Sequence, residues 1–103
     1  MENQLKLPQD KYEQALELAK HAIGMDIKKP FRKDGCIIYV PYRNYFNTVL
    51  HDPIWQELAF AGLAAHGSIY MVDNGTEKTS YSLTPNGLQW LAKELRMFIC
   101  IGC

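Results

Sequence analysis

At 103 residues the chain is long enough for one hydrophobic core and too short for two, so a single domain spanning residues 1–103 is expected. A hydrophobic content of 48% argues against disorder, and 11 Lys and Arg against 11 Asp and Glu leave no global field that would draw the chain to nucleic acid or an anionic membrane. The start, "MENQLKLPQD", has no signal-type apolar run, no later stretch approaches the roughly 18 apolar residues of a membrane span, and the three cysteines give no closed disulfide framework, so a cytoplasmic location is expected.

In chain order, "LPQDKYEQALELAKHAIG" predicts the first helix. Tyr12, Ala15, Leu16, Ala19, Ala22 and Ile23 fall on one face, and Gly24 supplies a C-terminal stop. "MDIKKPFRKDG" reads as a polar connection broken by Pro30 and Gly35, and it holds the basic cluster Lys28, Lys29, Arg32 and Lys33. "CIIYV", residues 36–40, predicts a short buried strand ended by Pro41. "YRNYFNTVL" satisfies neither the helical nor the strand period, and is placed as a short helix or an extended turn.

The next boundary is sharper. Asp52 is suited to N-cap a helix beginning at Pro53 and running to near Gly67, with Ile54, Trp55, Leu58, Ala61 and Gly62 as its packing side. "SIYMV" and "KTSYSL" flank "DNGTE", which predicts a hairpin with its tip around Gly75. In "YSLTPNGLQWL", Thr84 ends a strand and caps a helix, Pro85 takes the first helical position, and Leu88, Leu91, Ala92 and Leu95 turn inward. The expected core joins Leu58, Leu63, Tyr81, Leu83, Leu88, Leu91 and Leu95 to Leu16 and Ala19. The apolar tail from Met97 needs cover, which folding back onto the first helix or pairing of two copies would supply, and pairing into a homodimer is expected.

No constellation for catalysis emerges, and the chain is read as non-enzymatic, without a cofactor or metal. His21, His51 and His66 have no spacing that places two on one helical face around a metal, and no segment of the chain brings Cys36 to His51 and Asp52. The terminal "CIGC", Cys100 to Cys103, has the spacing of a redox pair or half a zinc site, but a structural zinc needs four ligands, and small apolar tail residues are the simpler reading. Tyr39, Tyr42, Tyr45 and Phe46 place aromatic rings beside Arg43 and Asn44, a mixture found in interface hot spots; the alternative is that most of these rings are core and that Arg43 and Asn44 buttress the turn through hydrogen bonds.

The order helix, strand, helix, helix, hairpin, helix is that of an α+β winged-helix-like domain. "FAGLAAHG", followed by the hairpin and "YSLTPNGLQWL", resembles the winged-helix segment in which a helix ending in Gly-Leu leads into a wing closing on Tyr-x-Leu-Thr-x-x-Gly. The match covers about residues 53–95. "AKHAIG", "YRNYFNT" and "LAFAGLAAHG" together resemble a family of small uncharacterised proteins encoded by phages and prophages, from which the basic loop before Cys36 and the tail after Arg96 depart. Winged helices imply DNA binding, yet residues 53–65 carry no Lys or Arg for phosphates or base edges.

Two functions are therefore expected. The first is a protein-binding accessory factor of phage or prophage origin, acting on a host or phage protein in a bacterial cytoplasm, one form being inhibition of a host defence complex such as a CRISPR effector. The alternative is a small DNA-binding transcriptional regulator. The residues expected to meet the partner are Lys28, Lys29, Arg32, Lys33, Tyr42, Arg43, Asn44 and Tyr45.

Overall fold

The computed structural model describes residues 7–100 as an α+β domain of three helices and two small sheets. Helix α1, Gln9–Ala22, buries Ala15, Ala19 and Ala22, and Ile23 follows them into the core. An alanine stripe lets neighbouring backbones come close, and α1 accordingly packs on α2, α3 and β6. Gly24 ends the helix at φ +92°, and a Cβ there would meet the Tyr42 Cβ at 2.5 Å, so glycine serves both the turn and the close approach of the next loop.

The connection expected to be irregular contains a strand. Strand β1, Phe31–Lys33, pairs antiparallel with β2, Cys36–Tyr39, with Lys33 opposite Cys36 across a two-residue turn. Asp34 and Gly35 take φ of +53° and +78°, the paired positive values that a tight hairpin needs. Nor is β2 a fully buried strand: only Tyr39 is fully enclosed, because the sheet is covered on one face. A third strand, β7 at Phe98–Ile99, lies parallel to β2, and the Cys100 amide donates to the Tyr39 carbonyl at 2.9 Å. The tail thus folds back onto its own chain, turned by Arg96 in the left-handed conformation. Ile99 is buried; Phe98, on the other face, is exposed.

The second sheet is ordered β3, β6, β4, with β5 also paired to β6. Strand β3, Phe46–Val49, takes the place of the short helix or extended turn expected there, because Phe46 and Thr48 pair with Tyr81 and Thr79 on the buried face of β6 while Asn47 and Val49 face outward. Helix α2, Pro53–Phe60, is shorter than expected: Gly62 reverses the chain at φ +80°, and residues 64–66 become β4, Ala64–His66, which pairs with Leu83 through Tyr81. Ala-rich sequence favours helix, and here the open side of β6 overrides that preference. Strand β5, Tyr70–Met71, and β6, Glu77–Leu83, form the expected hairpin, with Asn74 and Gly75 at its tip.

Both predicted caps are present. The Asp52 carboxylate accepts from the Ile54 and Trp55 amides at 3.0 and 3.1 Å, with Pro53 opening the helix. At the head of α3, Pro85–Leu95, the Thr84 hydroxyl accepts from the Gly87 amide at 3.1 Å and donates to the Gly62 carbonyl at 2.7 Å. The Thr84 amide donates to the Leu63 carbonyl at 3.0 Å, so one residue ties the end of β6, the start of α3 and the entry to β4. A Cβ on Gly87 would run into the Leu63 backbone, which explains the glycine of the Thr-x-x-Gly motif.

Leu58, Leu63, Tyr81, Leu83, Leu88, Leu91 and Ala19 are buried, with Leu16 and Leu95 half-buried against them, as expected. The core also takes in Trp55, Tyr39 and Trp90. Rings bridge the layers: Trp55 of α2 stacks between Phe46 of β3 and Tyr81 of β6 at 5.7 and 5.5 Å, and His21 and His66 meet the two ends edge-on. Such contacts add about 0.5–1.5 kcal/mol per aromatic pair beyond burial.

Candidate functional site

The loop from Pro41 to Tyr45 crosses the C-terminus of α1 and is held along its length. The amides of Tyr42 and Tyr45 donate to the carbonyls of Ile23 and Ala22, both at 3.0 Å. Arg43 donates to the His21 carbonyl and to the Asp26 carboxylate, both at 2.8 Å, which satisfies the end of the helix and locks the following turn. The Asn44 side chain behaves as one more rung of the second sheet: its oxygen accepts from the Leu83 amide at 2.9 Å and its amide nitrogen donates to the Leu83 carbonyl at 3.0 Å. Tyr39, beneath, donates from its hydroxyl to the Ile23 carbonyl at 2.8 Å.

With the backbone held this way, the rings of Tyr42 and Tyr45 are left in solvent, 59% and 52% exposed. Four consecutive residues thus divide their work. Arg43 and Asn44 spend their polar groups inward, and the two tyrosines on either side face outward. Asp26 sits in the same cluster, with His21 at 3.3 Å on its other oxygen. Partial burial pushes its carboxyl pKa up, but the Arg43 hydrogen bond, a backbone amide and the charges of Arg43 and His21 outweigh that and hold it below the usual carboxylate value.

The basic cluster does not stay together. Lys28 and Lys29 lie in the exposed turn after α1, while Arg32 and Lys33 are adjacent on β1 and therefore leave opposite faces of the first sheet. Lys33 shares its face with Cys36, and Arg32 shares its face with Ile37. None of the four has an ion pair among the described residues.

The strand parity that separates Arg32 from Lys33 turns Arg32 toward α3. There an open cleft of about 620 Å³ runs between the covered face of the first sheet and the helix, and Lys93 and Arg96 line it together with Arg32. Neither α3 cation was marked by the chain's charge pattern, because each stands alone among neutral or acidic neighbours in sequence. The hairpin exposes the apolar side chains of Ile69, Tyr70 and Met71 alongside Asp73 and Glu77.

The remaining candidates are engaged elsewhere. Asp52 caps α2 and accepts from the Thr48 hydroxyl at 3.1 Å, while the His51 ring meets the Gln56 amide at 3.0 Å. Cys36 is a free, exposed thiol on the first sheet. Cys103 lies outside the described residues, and with it the Cys-x-x-C reading. Among the described residues no group of three or more His, Cys, Asp or Glu is placed to hold a metal ion, and no helix is long and apolar enough to cross a membrane. Comparison with protein-family models, with curated proteins and with solved structures yields no match to this chain.

Proposed function

We propose that the chain is a protein-binding module whose principal contact is the pinned loop bearing Tyr42 and Tyr45. The carrying observation is that the loop's backbone and intervening polar side chains are hydrogen-bonded to α1, Asp26 and Leu83 while both rings remain exposed. Tyrosines presented on a rigid backbone lose little freedom on binding and supply large amphipathic contact area, the combination that makes interface anchors. Arg43 and Asn44 serve such a site from beneath.

The resemblance of "YRNYFNT" and its neighbours to phage and prophage proteins makes a host or phage protein the proposed partner, with inhibition of a host defence complex as one form of the activity. The test is a pull-down from bacterial lysate with the full chain and with a Tyr42→Ala, Tyr45→Ala variant. The fold should survive with a loss of about 1 kcal/mol or less, since both side chains are more than half exposed, while the partner retained by the wild type is lost. A partner held equally by both proteins would remove the loop from the function.

DNA binding is the second reading, favoured by the exposed, unpaired Lys28, Lys29, Arg32 and Lys33 and by the winged-helix resemblance. The wing-like part of that comparison rests on the β5–β6 hairpin between α2 and the capped α3. A helix-turn-helix needs two turn-connected helices, and here one helix, α2, followed by the short strand β4, stands between β3 and that hairpin, so the proposed scaffold is a wing-bearing variant. A steep fall of duplex-DNA retention with salt would favour this reading over the first, because phosphate contacts release counterions. The proposed homodimer places a second copy over Phe31, Ile38 and Phe98, which share one row of the first sheet. Light scattering that returns a monomer mass at tens of micromolar removes it.

A further inference from the structure

We propose that the cleft between the first sheet and α3 binds a small amphipathic anion, a carboxylate or phosphate head on a short apolar body. Three cations from separate places in the chain line this one cleft: Arg32 from β1, Lys93 from the last turn of α3 and Arg96 from its C-terminal cap. No acidic side chain lines it, and none of the three cations has a hydrogen-bond or ion-pair partner among the described residues. The partial negative charge at the end of α3 accounts for Lys93 and Arg96, as cations are favoured at a helix C-terminus. It does not account for Arg32, which the hairpin register brings to the same cleft from another element.

The rest of the lining is mostly apolar. Ile37 and Ile99 from the sheet face Leu88 and Ala92 from the helix. A volume of about 620 Å³ falls within the range of small-molecule sites, and a mostly apolar wall with a few converging polar groups is their usual character. An inorganic anion would leave the apolar wall unused, and a neutral apolar molecule would leave three like charges uncompensated. A molecule with one charged end and one apolar end satisfies both, its head shared by the two guanidinium groups and the ammonium, which are suited to carboxylate and phosphate oxygens.

The proposal is tested with the full chain by calorimetry and by amide shifts in nitrogen-15 spectra, using octanoate, octyl phosphate, octanol and inorganic phosphate, each amphiphile below micelle formation. Saturable binding of octanoate or octyl phosphate is expected, with shifts at Arg32, Ile37, Lys93 and Arg96, and with octanol and inorganic phosphate at least about tenfold weaker, the loss that follows from removing one charge-assisted contact. Arg32→Gln and Lys93→Gln, at exposed positions, should each weaken binding about tenfold while leaving the circular dichroism spectrum unchanged. Co-sedimentation with anionic vesicles that the same substitutions abolish would identify a lipid as the source of the head group, and its absence beside octanoate binding would identify a free amphiphile. Absence of saturable binding by both anions, octanol binding as tightly as octanoate, or full affinity in the doubly substituted protein would each overturn it.

Discussion

Replacing Gly87 by alanine sets two physical effects against each other. Gly87 is the third residue of α3 and has helical backbone, so the exchange should gain up to about 1 kcal/mol from helix propensity. Against this, an ideal Cβ would lie 2.9 Å from the Leu63 carbonyl carbon and closer still to its oxygen. Those are backbone atoms, which cannot rotate away as a side chain could.

Relief requires one of two movements. If Leu63 retreats, the bond from the Thr84 amide to its carbonyl is lost, at about 1 kcal/mol. If α3 lifts, Leu88 and Leu91 lose cover in the core. Overpacking of this kind costs about 1–3 kcal/mol, so the net expectation is destabilisation of about 2 kcal/mol. With a urea slope of about 1–3 kcal/mol per molar, the unfolding midpoint measured by circular dichroism falls by roughly 0.7–2 M. Asn86→Ala, one residue earlier and exposed, carries the propensity change alone and should raise the midpoint slightly. A Gly87→Ala protein whose midpoint rises alongside Asn86→Ala would refute the close approach and with it the account of the motif.

Leu91→Ala, at a fully buried position, should cost about 2–5 kcal/mol, and a change below about 0.5 kcal/mol in urea unfolding would mean that α3 is not docked as described. Thr84→Ala removes both the bond to the Gly87 amide and the one to Gly62, so a loss of about 1–2 kcal/mol is expected in the same assay. Tyr39→Phe should cost only about 1 kcal/mol, since the Ile23 carbonyl keeps the Tyr42 amide as a donor. Burial of the phenol raises the Tyr39 pKa above the usual 10.0, with the Asp26 charge adding to it, and burial and Asp52 act likewise on Tyr81. A raised folded value means that the stabilisation is fully present below about pH 10 and is lost as pH climbs through the folded pKa. The wild type should therefore lose stability above about pH 10, and Tyr39→Phe should flatten that fall; equal alkaline slopes for the two proteins would contradict it.

Much of the local architecture was readable from short stretches. The Asp52–Pro53 and Thr84–Pro85 starts, the Gly24 stop and the Asn74–Gly75 tip were all anticipated, because a cap or a tight turn is made by three or four consecutive residues whose side chains bond to their own backbone. The inward faces of α1 and α3 were legible for a related reason: a helix of more than ten residues repeats its apolar side often enough to show a period. The Asp34–Gly35 turn carried a comparable signal, but its flanks were three polar-rich residues and a strand, too little to mark a hairpin by alternation.

Strands of two to four residues were decided by partners far away in sequence. Phe46–Val49 is extended because β6, some thirty residues later, offers it an edge; residues 64–66 leave the helix for the other edge of the same strand; Phe98–Ile99 finds β2 some sixty residues earlier. No periodicity fits in so few residues, and their energy lies in cross-strand pairing that only the assembled sheet supplies. The same holds for the candidate sites. The sequence places Tyr42, Arg43, Asn44 and Tyr45 together and allows Arg43 and Asn44 to buttress the turn, but which groups they bond, and that the Tyr42 and Tyr45 rings stay exposed, depended on Asp26 and Leu83 arriving beneath them. Four neighbouring cations in the sequence became separate groups because adjacent strand residues face opposite ways, and the cleft that gathered Arg32 with Lys93 and Arg96 exists only once β7 and α3 have closed against β2.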